Sequence, residues 1–507
     1  MVRRPTFPDV LYGAVVLTAT VLLARVWWLS AILPAMDYSQ FLVFVRAVQD
    51  IGDPASPFHG TYSTGLWLMP AALPVHVTSW LSHATGHSLE AAGKVLLTAQ
   101  TVGLIAASVY LLRVLGRTRW AIVLLLPLVH SRWTVVGGYI VYATSLPLVV
   151  LGWALAVRWL RKLSWGSGVP LALCLSITLC WHGIGYVVAG LGFAALWCAW
   201  RAGSWGERLL SVTPTLPSLL HYALWMSTTF GKPSGPATPP SWSHPLDAAD
   251  SVTEYVWASV PHSHGLALGL AALVGAGLVL DRTARWATGE TARMWRTDNP
   301  FLVLSLVYLA AYFLLPAQWN HVEGVSTRFA YPAALAFVFA WNLPEGRLAR
   351  GVVLASVLAF GAFCSSDLTE RFRAFDRDTR GASTLMDRVE PRATLYHYPP
   401  DRGASRDFAA GHVPLRELQQ IVTIRGGGLP NSSFAGYGYN YVSYVGGKNP
   451  MPGLTGPPRY SPEMTRFDYV LSRAGQGPGD PRFRLVDTAP GWELYGVCGS
   501  ARFPACS

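Results

Sequence analysis

The chain has 507 residues, of which 51% are hydrophobic and only 13% charged. Soluble domains carry about 25% charged residues, so this composition excludes an ordinary soluble enzyme and places most of the chain in lipid. Lys and Arg outnumber Asp and Glu by 39 to 28, a balance of +11. The basic residues gather in short segments between apolar runs, without the polar basic patch and interleaved aromatics of a nucleic-acid binder.

A membrane span needs about 20 mostly apolar residues. In chain order the candidates are 10–32, 90–112, 120–137, 139–157, 168–181, 183–200, 208–226, 264–280, 301–316, 329–342 and 351–366. The stretch 66–85 is apolar but carries Pro70, Pro74, His76 and His83, and is expected to lie along the interface or re-enter. The start, Met1-Val2-Arg3-Arg4, followed by a long apolar run without a cleavage site, reads as a retained anchor. Basic clusters (Arg113, Arg117 and Arg119; Arg158, Arg161 and Lys162; Arg347 and Arg350) set the cytoplasmic side, with the N-terminus inside. Many of the 21 Trp, such as Trp27, Trp28, Trp120 and Trp165, end apolar runs as interfacial anchors do.

This orientation sends 33–65, 227–263, 317–328 and everything after 366 to the outer face. Two domains are expected: a membrane domain over 1–366 and a small soluble α/β or α+β module over 367–507. Arg392–Tyr398, Phe467–Leu471, Phe483–Val486 and Trp492–Val497 read as strands and Leu415–Val422 as a helix. Cys498 and Cys506 flank a short loop and are expected to pair if that side is oxidising.

Candidate functional residues collect on the outer face. Asp37 follows the first span in Pro34-Ala35-Met36-Asp37-Tyr38 and precedes an amphipathic run. It reads as a helix cap, as a partly desolvated base, or as a metal ligand. His182, in Trp181-His182-Gly183-Ile184-Gly185, is an ionisable group at membrane depth, either catalytic or a helix-to-helix hydrogen bond. Arg328 opens a span after Gln318–Glu323, with His321 and Glu323 nearby; its planar fork suits a phosphate or an ion pair with Glu323. The loop 227–263 carries Asp250 and Glu254 without zinc-ligand spacing, and reads as a cover over substrate. Tyr38 and His59 of the first outer loop complete the candidate cleft residues.

The chain resembles the GT-C superfamily of polytopic glycosyltransferases. The resemblance rests on MDYSQFLVFVRAVQDIGDP as acidic residue plus juxtamembrane helix. It extends over LWLMPAALPVHVTSWLSHATGHSLEAAGKVL and over the terminal FDYVL and FRLVDTAPGWELYGV, which are similar to small outer domains of bacterial members. It implies an α-helical membrane protein of about 11–12 spans in a bacterial plasma membrane. It further implies an inverting enzyme that uses a polyprenyl-phosphate-linked sugar and a glycan, lipid or protein acceptor. Asp37 would be the base, and Arg328, His182 and His321 would hold the donor phosphate. Many members carry two acids at the first site, whereas Tyr38 and Ser39 follow Asp37 here. That favours a base without a required cofactor, a divalent metal being an option. The competing readings are a lipid or oligosaccharide transporter or flippase, and a ligase- or polymerase-like enzyme of the O-antigen type. The absence of a visible repeat, and polar residues at the outer face rather than the midplane, disfavour transport.

Overall fold

The structure, a computed structural model, describes residues 7–130, 139–227, 239–242, 256, 299–319, 322–341, 343–344, 346–398, 414–430, 435, 440–447, 449–451, 454 and 458–504. The first apolar run forms α1 (Phe7–Arg25), continued by a 3-10 turn over Val26–Trp28. The Asp37 segment is α2 (Met36–Asp50), with Tyr38, Phe41, Leu42 and Val45 forming its buried stripe. The strand β1 (Tyr62–Thr64) follows, and then α3 (Ala72–Thr85). With 14 residues, α3 spans about 21 Å, too short to cross a hydrocarbon core. Leu66, Trp67 and Trp80 around it are exposed.

The helix α4 (Leu89–Leu115) begins at the Ser88 cap, whose hydroxyl accepts from the Ala91 N–H, and ends at the left-handed Gly116. Next come α5 (Ile140–Arg161), α6 (Trp165–Trp181) and α7 (Gly183–Ala199), the last two separated only by His182. Between α4 and α5, Arg119–Leu128 of the expected span 120–137 is a 3-10 segment containing Pro127 rather than an α-helix. The expected span 208–226 is also divided. It becomes α8 (Trp205–Val212), a 3-10 turn (Thr213–Thr215) and α9 (Leu216–Trp225), because Pro214 and Pro217 each lack the N–H that would continue the helix. The expected span 264–280 lies outside the described residues.

The second half contributes α10 (Pro300–Leu314), the hairpin β2 (Gln318–Trp319) and β3 (Val322–Glu323), α11 (Ala330–Ala340) and α12 (Arg347–Met386). Among the described residues, four helical stretches are long and apolar enough to cross a membrane: Asp9–Trp28, Leu89–Leu115, Ile140–Arg161 and Arg347–Met386. Five shorter apolar helices accompany them.

At 40 residues, about 60 Å, α12 runs through the expected boundary at 366 without a break. It buries one continuous face, Val353, Val357, Phe360, Cys364, Leu368, Phe372, Phe375 and Thr379, at spacings of three and four. The charge that appears after 366 lies on its other faces, so the shift in composition marks a change of surroundings and not the end of an element.

Beyond it are β4 (Leu395–His397), α13 (Gln420–Gly426), β5 (Val442–Tyr444), β6 (Tyr469–Arg473), β7 (Phe483–Ala489) and β8 (Trp492–Val497). Four strands form a mixed sheet in the order β4-β6-β8-β7, with β4 and β6 parallel. The fifth, β5, pairs instead with β1 of the first loop, Tyr62 opposite Tyr444. One apolar core therefore joins Tyr38, Phe41 and Leu42 of α2 to Phe372 and Phe375 of α12 and Ile421 of α13. A second core, around Trp153, Tyr308 and Phe339, fills the helical bundle. Cys498 is disulfide-bonded; Cys506 lies outside the described residues.

Candidate functional site

Asp37 sits in the first turn of α2 and is partly buried. The cap position is Ala35, which has extended backbone and no side chain to bond the free amides. Asp37 is thus inside the helix rather than at its cap, and its charge faces the positive end of the helix dipole. The turn before it is fixed by three hydrogen bonds, to Lys94 and Asp376. The Lys94 ammonium donates to the Ser30 and Ala31 carbonyls at 2.7 and 3.0 Å. The Ala31 N–H donates to Asp376 Oδ1 at 2.8 Å. Next to Asp37, Tyr38 points the other way into the core, its hydroxyl donating to the Glu90 carbonyl at 2.7 Å. Tyr38 is buried in the core shared by α2 and α12.

His182 occupies the junction of α6 and α7. Its Nδ1 accepts the Gly185 N–H at 3.0 Å, so the ring proton is on Nε2 and that nitrogen is a donor. The flanking glycines have a steric reason. A Cβ on Gly185 would meet Ser145 Oγ at 2.3 Å, and one on Gly183 would touch Trp225 at 3.4 Å. The His182 ring packs edge-on against Tyr142 of α5, centroids 5.3 Å apart.

Arg328 belongs to the 3-10 turn Thr327–Phe329 that leads into α11, and is only 5% exposed. Its backbone carbonyl accepts from the Tyr142 hydroxyl at 2.5 Å. Its guanidinium lies 4.6 Å from the Tyr139 ring centre and 5.9 Å from that of Tyr142. Tyr142 links Arg328 and His182, its ring against His182 and its hydroxyl on the Arg328 carbonyl. Arg328 Nε is buried without a hydrogen-bond partner among the described residues, and no carboxylate described there pairs with the guanidinium. A desolvated cation with aromatic walls and a spare donor is complementary to an anion.

Arg328 and His182 therefore form one cluster, and Tyr139 and Tyr142 hold it together. These tyrosines open the apolar run at 139, where interfacial Tyr is ordinary, and so carried no sequence signal of their own. Helix α2 packs on the same end of α5, where Ile140 joins the core of Tyr38 and Phe41.

The other candidates divide. His59 is exposed, with Nδ1 donating to the Ile51 carbonyl at 2.9 Å, a turn-stabilising bond. Glu323 lies on β3, paired with Gln318. The bridge of Ser241 to Gln318, and the Trp242 Nε1–H donated to Leu314 O at 3.2 Å, fasten part of the expected cover loop to this hairpin. His321, Asp250 and Glu254 lie outside the described residues. Among the described residues, no three His, Cys, Asp or Glu side chains converge as metal ligands do.

A largely helical chain with a buried cation cluster at one end of its bundle and a small mixed sheet beside it defines a class of fold. No family model and no curated protein sequence matches the chain. Among solved structures it is similar to ArnT from Cupriavidus metallidurans bound to undecaprenyl phosphate. That likeness has a TM-score of 0.53 at 10% identity, covering 96% of this chain and 97% of that one. The apo form of ArnT gives 0.53 at 11% identity over the same shares. The mycobacterial arabinofuranosyltransferase AftD gives 0.47 at 13% identity, over 95% of this chain and 40% of that one. The chain shares the overall fold of ArnT along nearly its whole length.

Proposed function

We propose that the protein is an inverting membrane glycosyltransferase that moves a sugar from a polyprenyl-phosphate donor to an acceptor hydroxyl at the outer face. The observation that carries this reading is Arg328, buried, unpaired by any described carboxylate and set against the Tyr139 ring. A phosphate would satisfy it with a bidentate, charge-assisted contact. The shared fold with a structure bound to undecaprenyl phosphate supports a lipid phosphate as that ligand.

In the reaction, Asp37 takes the proton of the acceptor hydroxyl. The oxygen attacks the anomeric carbon on the face opposite the phosphate. The bond from carbon to phosphate oxygen breaks, and its electron pair leaves on the polyprenyl phosphate. Arg328 and His182, with His321 as a further candidate, stabilise that charge as it develops. The enzyme is placed in a bacterial plasma membrane, with the N-terminus inside and residues 367–507 outside.

Titrating undecaprenyl phosphate into the detergent-solubilised protein tests the phosphate site. Arg328→Ala is expected to weaken binding about thirtyfold or more, since it removes the cationic partner of a buried pair. Equal affinity in the variant would remove Arg328 from the site.

A further inference from the structure

At the other end of α5 is a cavity of about 380 Å³ between the ends of α4 and α5 and the start of α6. Arg113, Arg158, Arg161 and Lys162 line it, together with Ser164 and Ser167, and among the described residues no carboxylate does. The cations are held at its rim by neutral groups. Arg158 donates to the Tyr110 hydroxyl at 3.0 Å, and Arg161 donates to the Val114 carbonyl. Each of these bonds uses one nitrogen, which leaves the rest of the guanidinium for a ligand. Nearby Arg119 differs, because it is paired with Asp9. The first turn of α6 points into the same space, and its cap residue Ser164 makes no side-chain cap bond.

The depth of the cavity indicates the ligand. Tyr142, in the Arg328 cluster, and Arg161, at the cavity, lie on one unbroken helix. Nineteen residues of rise separate them by about 28 Å, close to the ~30 Å of a hydrocarbon core. If the Arg328 cluster is at one interface, the cavity is at the other. Trp165, 70% exposed at its edge, is the kind of side chain that marks a headgroup layer.

We propose that this cavity binds the phosphate of an anionic phospholipid headgroup at the inner interface, a site separate from the donor site. Four cations that no described carboxylate neutralises, over a helix start at headgroup depth, suit a phosphodiester carried by a lipid.

The test measures thermal melting of the whole protein in uncharged detergent, with added dioleoylphosphatidylglycerol, dioleoylphosphatidylcholine or inorganic phosphate. The expected result is a rise in Tm with phosphatidylglycerol only, with apparent affinity about tenfold weaker in R161Q/K162Q. A control that removes equal charge elsewhere, R201Q/R347Q, should keep the wild-type response. Because Arg161 also braces Val114, a second variant is Ser164→Asp. It supplies a good helix cap, so folding is preserved, yet it sets a carboxylate in the cavity and should abolish the response. Any of three results would overturn the site: no lipid-dependent rise, an undiminished rise in Ser164→Asp, or an equal loss in the control. A rise with inorganic phosphate alone would overturn the lipid assignment.

Discussion

Asp37 is a partly buried carboxylate in the first turn of α2, and Arg328 is a buried cation beside Tyr139. Asp37→Asn keeps size and first-turn position, so folding should survive, while sugar transfer falls by about two to four orders of magnitude. A circular dichroism spectrum like that of the wild type, beside the lost turnover, is the expected pair of readings. His182→Ala should lower turnover less than Arg328→Ala, because the ring supplies one neutral hydrogen bond and the guanidinium a charge. Measuring both variants against one donor ranks them. Asp37 and His182 stood out in the sequence because charge is scarce there. Tyr139, Tyr142 and Lys94 did not, because their roles depend on which helices meet, and spacing along the chain does not report that.

Helix α4 and helix α12 are joined to the C-terminal part by buried polar contacts, and these decide how firmly α2 is held. Arg425 of α13 reaches Glu90 of α4 at 2.8 Å and Asp387 at 2.8 Å. Removing it leaves Glu90, whose side chain is 11% exposed, without its cation. Arg425→Ala should therefore cost about 3 kcal/mol, read as a lower Tm. Asp376 behaves differently. Burial opposes its charge, but the hydrogen bonds from Arg380 and the Ala31 N–H, and the charges of Arg380 and Lys94, outweigh it and hold its carboxyl below the ordinary range. A lowered folded value means the contribution is present above about pH 4 and is lost as pH falls below it. Asp376→Asn should lower stability at neutral pH and flatten that acid limb, the two proteins converging as pH falls below about 4. Gly381→Ala tests how α12 docks on the sheet. Its added methyl would meet the Pro490 carbonyl at 2.3 Å, and a loss of about 1–3 kcal/mol is expected. The strands were legible because alternation in segments such as WELYGV is local. The breaks at Pro127, Pro214 and Pro217 were hidden, because a hydropathy window counts apolar residues without regard to the missing N–H groups.

Over the whole molecule, the expected split at 366 gives way to a shared core. The first loop contributes α2 and β1, the tail contributes α13 and β5, and α12 runs between them. Residues 387–507 produced alone should fail to fold, since they lack Phe41, Leu42 and the β1 partner of β5. A monodisperse, protease-resistant fragment would show instead that the tail is independent. The membrane character and the GT-C resemblance were legible from charge depletion and from Asp37 after the first apolar run. The joint between loop and tail was not, because residues some 380 positions apart leave no periodic trace.

The most direct measurement is sugar transfer from a polyprenyl-phosphate donor by the purified protein, with anomeric configuration read in the product. The account predicts an inverted product for the wild type. It predicts transfer about two to four orders of magnitude slower for Asp37→Asn, which should still bind undecaprenyl phosphate with wild-type affinity. Transfer at the wild-type rate by Asp37→Asn, or a product of retained configuration, would contradict it.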